Sequence, residues 1–311
     1  MAHLPPPAIG AQASQLARDL VLSPSSRMPR LVYGTAWKKD RTADLVYRAL
    51  RVGFRGIDTA AQPKHYDERA VGEGVRRAVA EGIVKREDLF IQTKFTAPGG
   101  QNHIAPYDLK APLVEKVRQS VLSSLESFAV DDRAEPYLDS LVLHSPMDTM
   151  QETMTVWKTL ESYAPRQIRH LGISNTTLAV VQALLEKMAV KPAVVQNRFH
   201  DRTRFEADIR RLCRDRDIVF QSFWTITANA SLVQSAPVAQ VARKAGVQPV
   251  PAFYSLVLGL GNVAILDGTT SEVHMVEDLE GIEKVGVWAE GEGASDWEDA
   301  LKTFKAMVGD G

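Results

Sequence analysis

Chargeable side chains end several of the short apolar runs in this sequence. Asp58 follows the apolar residues of FRGIDTA, Lys94 closes LFIQTK, and His144 closes YLDSLVLH. A carboxylate and an ammonium group that lie side by side can form an ion pair, and an imidazole can hydrogen-bond a polar ligand. A hydrophobic core would not select these residues, because buried polar groups cost free energy unless they are paired. Their positions therefore predict a polar site where the apolar runs end.

The segment that carries the first two of these residues is predicted to fold as strand, helix and strand. The apolar residues of its middle part recur every four positions, at Val71, Val75, Val79 and Ile83. This spacing is typical of the buried stripe of an amphipathic helix. Asp58 and Lys94 then lie at the ends of two successive strands, and both would point into the mouth formed by those strand ends.

The same alternation gives eight strand–helix units along the chain. The predicted strands are RLVYGT, FRGIDTA, LFIQTK, YLDSLVLH, IRHLGIS, AVVQN, IVFQSF and VAILDG. Short apolar strands that alternate with helices indicate parallel pairing, and eight units at this length predict a single (β/α)8 TIM barrel. The alternative is a doubly wound open sheet. It requires a Gly-rich phosphate-binding turn after an early strand, whereas GLGNVA occurs late and precedes a strand.

The predicted domain organisation has three parts. Residues 1–27 form an N-terminal arm, loose to about residue 12, and a cover for the barrel bottom. Residues 28–288 form the barrel, and residues 289–311 form a C-terminal tail that could cover the pocket. The residues at the predicted strand ends are overwhelmingly polar, which places a site at the C-terminal mouth of the barrel. They are Gly34, Thr35, Asp58, Lys94, His144, Ser174, Asn175, Gln196, Phe223, Gly268, Thr269 and Thr270.

Composition favours a small-molecule ligand. The net charge of −1 comes without a basic run or stripe, which argues against nucleic acid and anionic membrane as partners. The single cysteine, Cys213, excludes an internal disulfide framework and favours a reducing, cytoplasmic location. No secretory leader or membrane-spanning run is predicted, and no metal site is expected.

From about Met28 to about Leu279 the chain resembles the aldo-keto reductases. The matching motifs are MPRLVYGT, GIDTA, YDERAVGEG, GIVKREDLFIQTK, LDSLVLHSP, HLGISN, AVVQN and DGTTSEVHMVEDL, and QPKHYDE, QNRFH and QSFW resemble fungal-type members. The resemblance implies reduction of a small carbonyl substrate with NADP(H), by a monomer or weak homodimer.

The resemblance also implies a catalytic tetrad of Asp58, Tyr66, Lys94 and His144. Tyr66 would give the proton, and Lys94, held by Asp58, would lower the pKa of its phenol by favouring the phenolate. His144 would hydrogen-bond the substrate oxygen and orient the carbonyl. Trp37 and His65 are expected to join His144 in binding substrate. The alternative for Asp58 and Lys94 is a structural ion pair, and the alternative for His144 is a packed, hydrogen-bonded histidine.

The same resemblance implies a cofactor site. Ser174, Asn175 and Gln196 would hold the nicotinamide carboxamide, which needs both donors and acceptors, and Phe223 would stack on the ring. The alternative for Phe223 is core packing, and the alternative for the Thr and Ser residues near position 270 is helix capping. The remaining expected cofactor contacts are at the barrel mouth (Gly34, Thr35 and Asp58), at the 2′-phosphate (Gly268, Thr269, Thr270, Ser271 and His274) and at the adenine (Glu277 and Asp278).

Three departures from the family pattern affect these expectations. In the family pattern the tyrosine comes five residues after the aspartate, a position that Pro63 occupies here, whereas Tyr66 comes eight residues after Asp58. When the position is counted backwards from the acidic pair that follows, the family tyrosine falls on His65. Gly268 and His274 replace the lysine and arginine that many members carry. We therefore expect NADP(H) to bind more tightly than NAD(H), but by a smaller margin than in those members.

Three functions remain open from the sequence. The first is an NADPH-dependent reductase of aldehydes or ketones. The second is an NADP-binding regulatory protein with little turnover, which the displaced tyrosine would allow. The third is a biosynthetic cyclase, dehydratase or isomerase on the same scaffold. Consumption of one NADPH per product distinguishes the first from the other two.

Overall fold

A closed barrel of eight parallel strands forms the centre of the molecule. The computed structural model describes residues 14–130 and 135–310. In barrel order the strands are β10 (Val263–Asp267), β3 (Leu31–Gly34), β4 (Gly56–Asp58), β5 (Phe90–Phe95), β6 (Leu138–Leu143), β7 (Ile168–Ser174), β8 (Val194–Arg198) and β9 (Val219–Phe223). The predicted (β/α)8 TIM barrel is thereby confirmed, and the open-sheet alternative is wrong.

The strand register brings interior polar residues side by side. Asp58 on β4 pairs with Gln92 on β5, and Gln196 on β8 pairs with Gln221 on β9. Residues in register on neighbouring strands of a barrel point to the same side, so their side chains can form one layer of the interior. This layer lies directly below the C-terminal ends of the strands.

Helices α1–α11 surround the barrel and connect most of its strands. They are α1 (Thr42–Val52), α2 (Glu68–Ala80), α3 (Leu113–Ser127), α4 (Met150–Glu161), α5 (Leu178–Lys187), α6 (Ala207–Asp215), α7 (Ala230–Val233), α8 (Ala236–Ala245), α9 (Pro249–Leu258), α10 (Glu272–Glu290) and α11 (Ala294–Met307). Helix α2 buries Val71 and Val75 as its periodicity predicts, whereas Val79 is half-buried and Ile83 lies beyond the end of the helix. Its N-terminus is capped by the Asp67 carboxylate, which accepts from the Ala70 N–H at 3.0 Å. This cap fixes where the chain leaves the Tyr66 region and enters the helix.

Helix α9 was not predicted from the sequence. Eight of its ten residues are buried, so it is apolar on every side and lacks the amphipathic spacing that identifies a surface helix. Its N-terminal part, together with Tyr254, reaches the barrel mouth. An unrecognised helix therefore supplies part of the site.

The two ends of the chain cover the barrel away from its mouth. Strands β1 (Leu20–Ser23) and β2 (Ser26–Met28) form an antiparallel hairpin, and residues 1–13 of the predicted arm lie outside the described residues. Helix α10 runs past the predicted boundary at residue 288, and Phe304 on α11 packs on Phe253 with ring centres 5.9 Å apart. No residue of α11 lines the mouth cavity, so the expectation that the C-terminal tail could cover the pocket is wrong. Within the described ranges, no helix is both long and apolar enough to span a membrane.

Candidate active site

A cavity of about 1080 Å³ opens at the C-terminal ends of the barrel strands. Its volume lies at the upper end of the range for small-molecule sites. Most of the residues predicted for the site line it, namely Gly34, Thr35, Trp37, Asp58, His65, Tyr66, His144, Ser174, Asn175, Gln196, Phe223, Gly268, Thr269, His274, Glu277 and Asp278. Three predicted residues do not line it: Lys94 lies beneath it, and Thr270 and Ser271 lie outside it.

Asp58 and Lys94 form a buried ion pair at the floor of the cavity. Lys94 Nζ donates to Asp58 Oδ2 at 2.5 Å and to the Thr59 carbonyl oxygen at 2.7 Å, and the two side chains are 3% and 1% exposed. Burial lowers the pKa of Lys94 below its ordinary value, while Asp58 acts in the opposite direction. The ammonium is thus held in one position, pointing at its carboxylate partner.

Tyr66 lies next to this pair, despite its shifted position in the sequence. Lys94 Nζ is 5.4 Å from the centre of the Tyr66 ring, and the rings of Tyr66 and His144 are 6.1 Å apart in an edge-to-face arrangement. The structure therefore brings the four predicted tetrad residues together.

Burial outweighs the expected effect of Lys94 on the pKa of Tyr66. Burial raises the pKa of Tyr66 well above its ordinary value, and the Asp58 charge adds to the increase. The physical reason is that burial disfavours the charged phenolate, and that Asp58, the partner of Lys94, adds a negative charge beside it. The unliganded protein therefore holds Tyr66 as a protonated phenol at neutral pH.

His144 is held as a neutral imidazole. Burial lowers the pKa of His144 to about 3, and the charge of Lys94 contributes in the same direction. His144 Nδ1 is 2.6 Å from the Thr96 hydroxyl oxygen. If Thr96 donates this hydrogen bond, the ring proton lies on Nε2, where it can be donated to a ligand.

His65 is held by contacts that Tyr66 does not have. Its ring stacks on Trp37 with centres 3.9 Å apart, and its Nδ1 lies 3.0 Å from Gln62 Oε1. Gln62 Nε2 donates to the Gly100 carbonyl at 2.7 Å, which leaves Gln62 Oε1 as an acceptor and places the His65 proton on Nδ1. Burial and Lys64 lower the pKa of His65 below its ordinary value. A neutral His65 thus has no second proton for a ligand.

Donors and acceptors follow one another along the opposite wall. Asn175 Nδ2 donates to Ser174 Oγ at 3.2 Å and to the His144 carbonyl at 2.9 Å, so the Ser174 hydroxyl is free to donate into the cavity. Gln196 is 3% exposed, and Phe223 is half-buried beside it at the end of β9. A half-buried ring presents a face to the cavity, in contrast to the core-packing alternative.

The far end of the cavity is rich in carboxylates. Asp278 and the neighbouring Asp267 are both buried. Burial and the Asp267 charge raise the pKa of Asp278 to about 8. Burial also raises the pKa of Asp267. Lys38 Nζ donates to the Gly268 carbonyl, which supplies one nearby positive charge.

Helix capping explains Ser271, as the alternative from the sequence proposed. Its side chain accepts from the His274 N–H at 3.4 Å at the start of α10, and Thr270 is exposed. The side chains of Thr270 and Ser271 are therefore not part of the cavity wall.

Several lining residues were missed from the sequence. Lys38, Arg198 and Trp224 line the cavity, and the Arg198 guanidinium lies 4.4 Å from the centre of the Trp224 ring. The signal for Arg198 was available, because it follows Gln196 by two positions on one strand and so faces the same side. Trp37, Asn175 and Trp224 have left-handed φ values of 64°, 49° and 56°. Such strained backbone is common at binding sites.

Comparison with known proteins identifies the family. The chain belongs to the aldo/keto reductase family, whose model matches residues 30–293. It is 31% identical over 209 residues to an NADPH-dependent D-xylose reductase of Meyerozyma guilliermondii, a match that covers 58% of this chain and 60% of that protein. It is 27% identical over 270 residues to an aldo-keto reductase of Mycobacterium avium, covering 86% and 85% of the two chains.

The fold agrees with solved structures. A Bombyx mori aldo-keto reductase in complex with NADP superimposes with a TM-score of 0.68 at 18% identity, over 88% of this chain and 92% of that one. At this identity the likeness concerns the fold. The chain spans about 60% of the length of the D-xylose reductases that it matches.

Proposed function

We propose that this protein reduces a small aldehyde or ketone to an alcohol with NADP(H). The observation that carries the proposal is the meeting of Tyr66, Lys94 and His144 with Asp58 at one end of a cavity whose other end can hold a nucleotide. When bound, the nicotinamide supplies hydride to the carbonyl carbon. The D-xylose reductases among the relatives suggest small polyhydroxy aldehydes as the first substrates to test.

The residues on the cavity wall fit a nicotinamide nucleotide. A primary carboxamide has one acceptor and one donor group, which match the Ser174 hydroxyl and the Gln196 side chain. The half-exposed face of Phe223 suits a planar ring. Gly34, Thr35 and Asp58 would border this end, while Gly268, Thr269 and His274 would face the 2′-phosphate and Glu277 and Asp278 the adenine.

Proton transfer is assigned to Tyr66. Its raised pKa keeps the phenol protonated in the free protein, and an alkoxide formed at the carbonyl oxygen is basic enough to take the proton. Lys94 then lies close enough to stabilise the phenolate that forms. His144, neutral at physiological pH, would donate from Nε2 to the same carbonyl oxygen and orient it, with Trp37 and His65 enclosing the substrate.

Consumption of NADPH tests the proposal. Purified protein is mixed with NADPH and with aldoses such as D-xylose, aliphatic aldehydes and aromatic ketones in turn, and the absorbance of reduced nicotinamide is followed. We expect loss of one NADPH per alcohol formed with at least one class. Saturable NADPH binding without turnover against any carbonyl would favour the regulatory-protein alternative, and product formation without net oxidation would favour the cyclase or isomerase.

We expect affinity for NADP(H) to fall between about pH 7 and pH 9, while affinity for NAD(H) stays nearly constant. Asp278 has a raised pKa of about 8, so it is protonated below that pH and adds a negative charge above it. One unit charge about 8 Å from a phosphate weakens binding by roughly 2- to 30-fold for effective dielectric constants of about 80 to 20. Fluorescence titration of both cofactors at each pH measures the effect.

Asp278→Asn is the matched variant for this measurement, because it keeps the shape of the side chain and removes its titration. Lys38, His274 and Glu277 also border this region and remain unchanged in the variant. The fall in NADP(H) affinity above pH 7 should become smaller in the variant. An unaltered pH dependence would show that the carboxyl pair does not influence the phosphate, and tighter binding of NAD(H) than NADP(H) throughout would contradict the cofactor assignment.

A further inference from the structure

A network of three glutamine side chains lies beside the Asp58 carboxylate beneath the cavity. Gln92, Gln196 and Gln221 come from β5, β8 and β9 and are 0%, 3% and 0% exposed. Gln92 Nε2 and Gln196 Nε2 donate to Asp58 Oδ1 at 2.7 Å and 3.0 Å. The same two nitrogens donate to Gln221 Oε1 at 2.7 Å and 2.8 Å. Two amide NH2 groups thus bridge the Asp58 and Gln221 oxygens.

The charge of Asp58 determines which way each amide in this network points. An ionised carboxylate can only accept, so Gln92 and Gln196 must both turn their NH2 groups toward it. Their second N–H groups then require an acceptor, which is the oxygen of Gln221. Gln221 Nε2 is consequently directed to the other side, where it lies 3.3 Å from Met28 Sδ. Reversing Gln92 or Gln196 would bring two oxygens together, and reversing Gln221 would bring amide NH2 groups together.

This arrangement fixes the group that Gln196 offers to a ligand. Both N–H groups of Gln196 are used below the cavity, while the residue itself lines the cavity wall. The atom left for a ligand is its carbonyl oxygen, which accepts but cannot donate. A ligand group with an N–H at this point is therefore favoured over one without.

We propose that Gln92 and Gln221 are positioning residues that hold the Gln196 carbonyl oxygen toward the cavity and so select a ligand carrying an amide NH2. The inference rests on the proposed nicotinamide function, since the carboxamide of that ring supplies such a group. Neither Gln92 nor Gln221 lines the cavity, so their influence on a ligand passes through Gln196 and Asp58.

The test compares NADP⁺ with its 3-acetylpyridine analogue, in which a methyl ketone replaces the carboxamide and no NH2 is present. Wild-type protein should bind the analogue about 5- to 100-fold more weakly, since the buried acceptor loses its donor. Gln221→Leu removes the second of the two acceptors that hold each amide, so that Asp58 alone remains and Gln196 is less firmly oriented. Its affinity for NADP⁺ should fall, and its ratio of analogue to NADP⁺ dissociation constants should approach one.

Gln221→Glu is the conservative variant: it keeps an acceptor oxygen at position 221 and tests whether that oxygen accounts for the ratio of the two dissociation constants. A protonated glutamic acid keeps the carbonyl acceptor for both glutamine amides and turns an O–H toward Met28 Sδ in place of the amide. An ionised one places a second negative charge beside Asp58. Because a carboxyl group in either form accepts from both amides, the variant should keep the wild-type preference for NADP⁺ at every pH, whereas a variant without an acceptor oxygen should lose it.

Gln119→Leu is the control for replacing a glutamine by leucine. Gln119 lies on α3, far in sequence from the network. Its Nε2 donates to the Glu115 carboxylate, and its Oε1 accepts from the Asp108 N–H. It should leave both dissociation constants unchanged. If Gln221→Leu does not fold, Gln221→Met, which also lacks the acceptor oxygen, takes its place. Full wild-type discrimination in the folded variant that lacks the acceptor would overturn the inference, whereas failure of wild-type protein to bind any nicotinamide nucleotide would overturn the proposed function and the inference together.

Discussion

Tyr66→Phe is expected to slow carbonyl reduction by roughly 10²- to 10⁴-fold, the range for loss of a general acid. The substitution removes the hydroxyl and keeps the ring, whose edge-to-face contact with His144 has centres 6.1 Å apart. Cofactor affinity should therefore stay nearly constant, so the loss appears in kcat. Single-turnover measurements with saturating NADPH separate the chemical step from cofactor binding.

His65→Ala is the comparison that makes the Tyr66 experiment specific. The His65 proton lies on Nδ1 and is used by Gln62, and the lowered pKa of its ring disfavours the imidazolium that a donor would need. The variant removes one face of the Trp37 stack and should raise KM more than it lowers kcat. Near-full activity of Tyr66→Phe, or a larger loss of kcat in His65→Ala, would reject Tyr66 as the proton donor.

A raised tyrosine pKa also predicts how the reaction depends on pH. Burial and Asp58 raise the pKa of Tyr66, so its proton is retained through the physiological range in the free protein. Loss of reduction at high pH should therefore reflect a group other than a pre-ionised Tyr66. The sequence pointed to the opposite shift, because the effect of the Lys94 charge was foreseen while the burial of the Tyr66 phenol was not.

Alternation of strands and helices was enough to predict the barrel and the meeting of Asp58, Lys94 and His144. Residues at successive strand ends must meet when parallel strands close into a barrel, so no knowledge of loops was needed. Helix α9 was hidden because its residues are buried on nearly all sides and show no stripe. The fold of the loop from Ala60 to Tyr66 was equally hidden, since it depends on contacts such as that of Gln62 with Gly100.

The glutamine network shows a second limit of the sequence. Gln92 precedes Lys94 by two positions and Gln221 precedes Phe223 by two, so strand alternation placed each on the side of its predicted site residue. What the sequence could not give was contact across the barrel between β4, β5, β8 and β9. That contact depends on the stagger of the strands, which is fixed when the whole barrel closes.

Replacing Lys94 by Met is expected both to abolish measurable turnover and to reduce stability by about 3–5 kcal/mol. Breaking a buried ion pair by removing one partner leaves an uncompensated buried charge, and such changes typically cost that amount. Asp58, which is 2% exposed, would still accept hydrogen bonds from the N–H groups of Gln92 and Gln196. It would lose its only cationic contact within the described residues. Chemical denaturation monitored by circular dichroism measures the loss of stability.

The double variant Asp58→Asn/Lys94→Met separates structure from catalysis at this pair. With the carboxylate neutralised, no unpaired charge remains, so much of the stability lost in Lys94→Met should return. Activity should not return, because Tyr66 would still lack the ammonium 5.4 Å from its ring that stabilises the phenolate formed on proton transfer. Recovery of both stability and turnover would mean that Asp58 and Lys94 serve the fold alone, and the proton would then have to reach the substrate without a cation beside its donor.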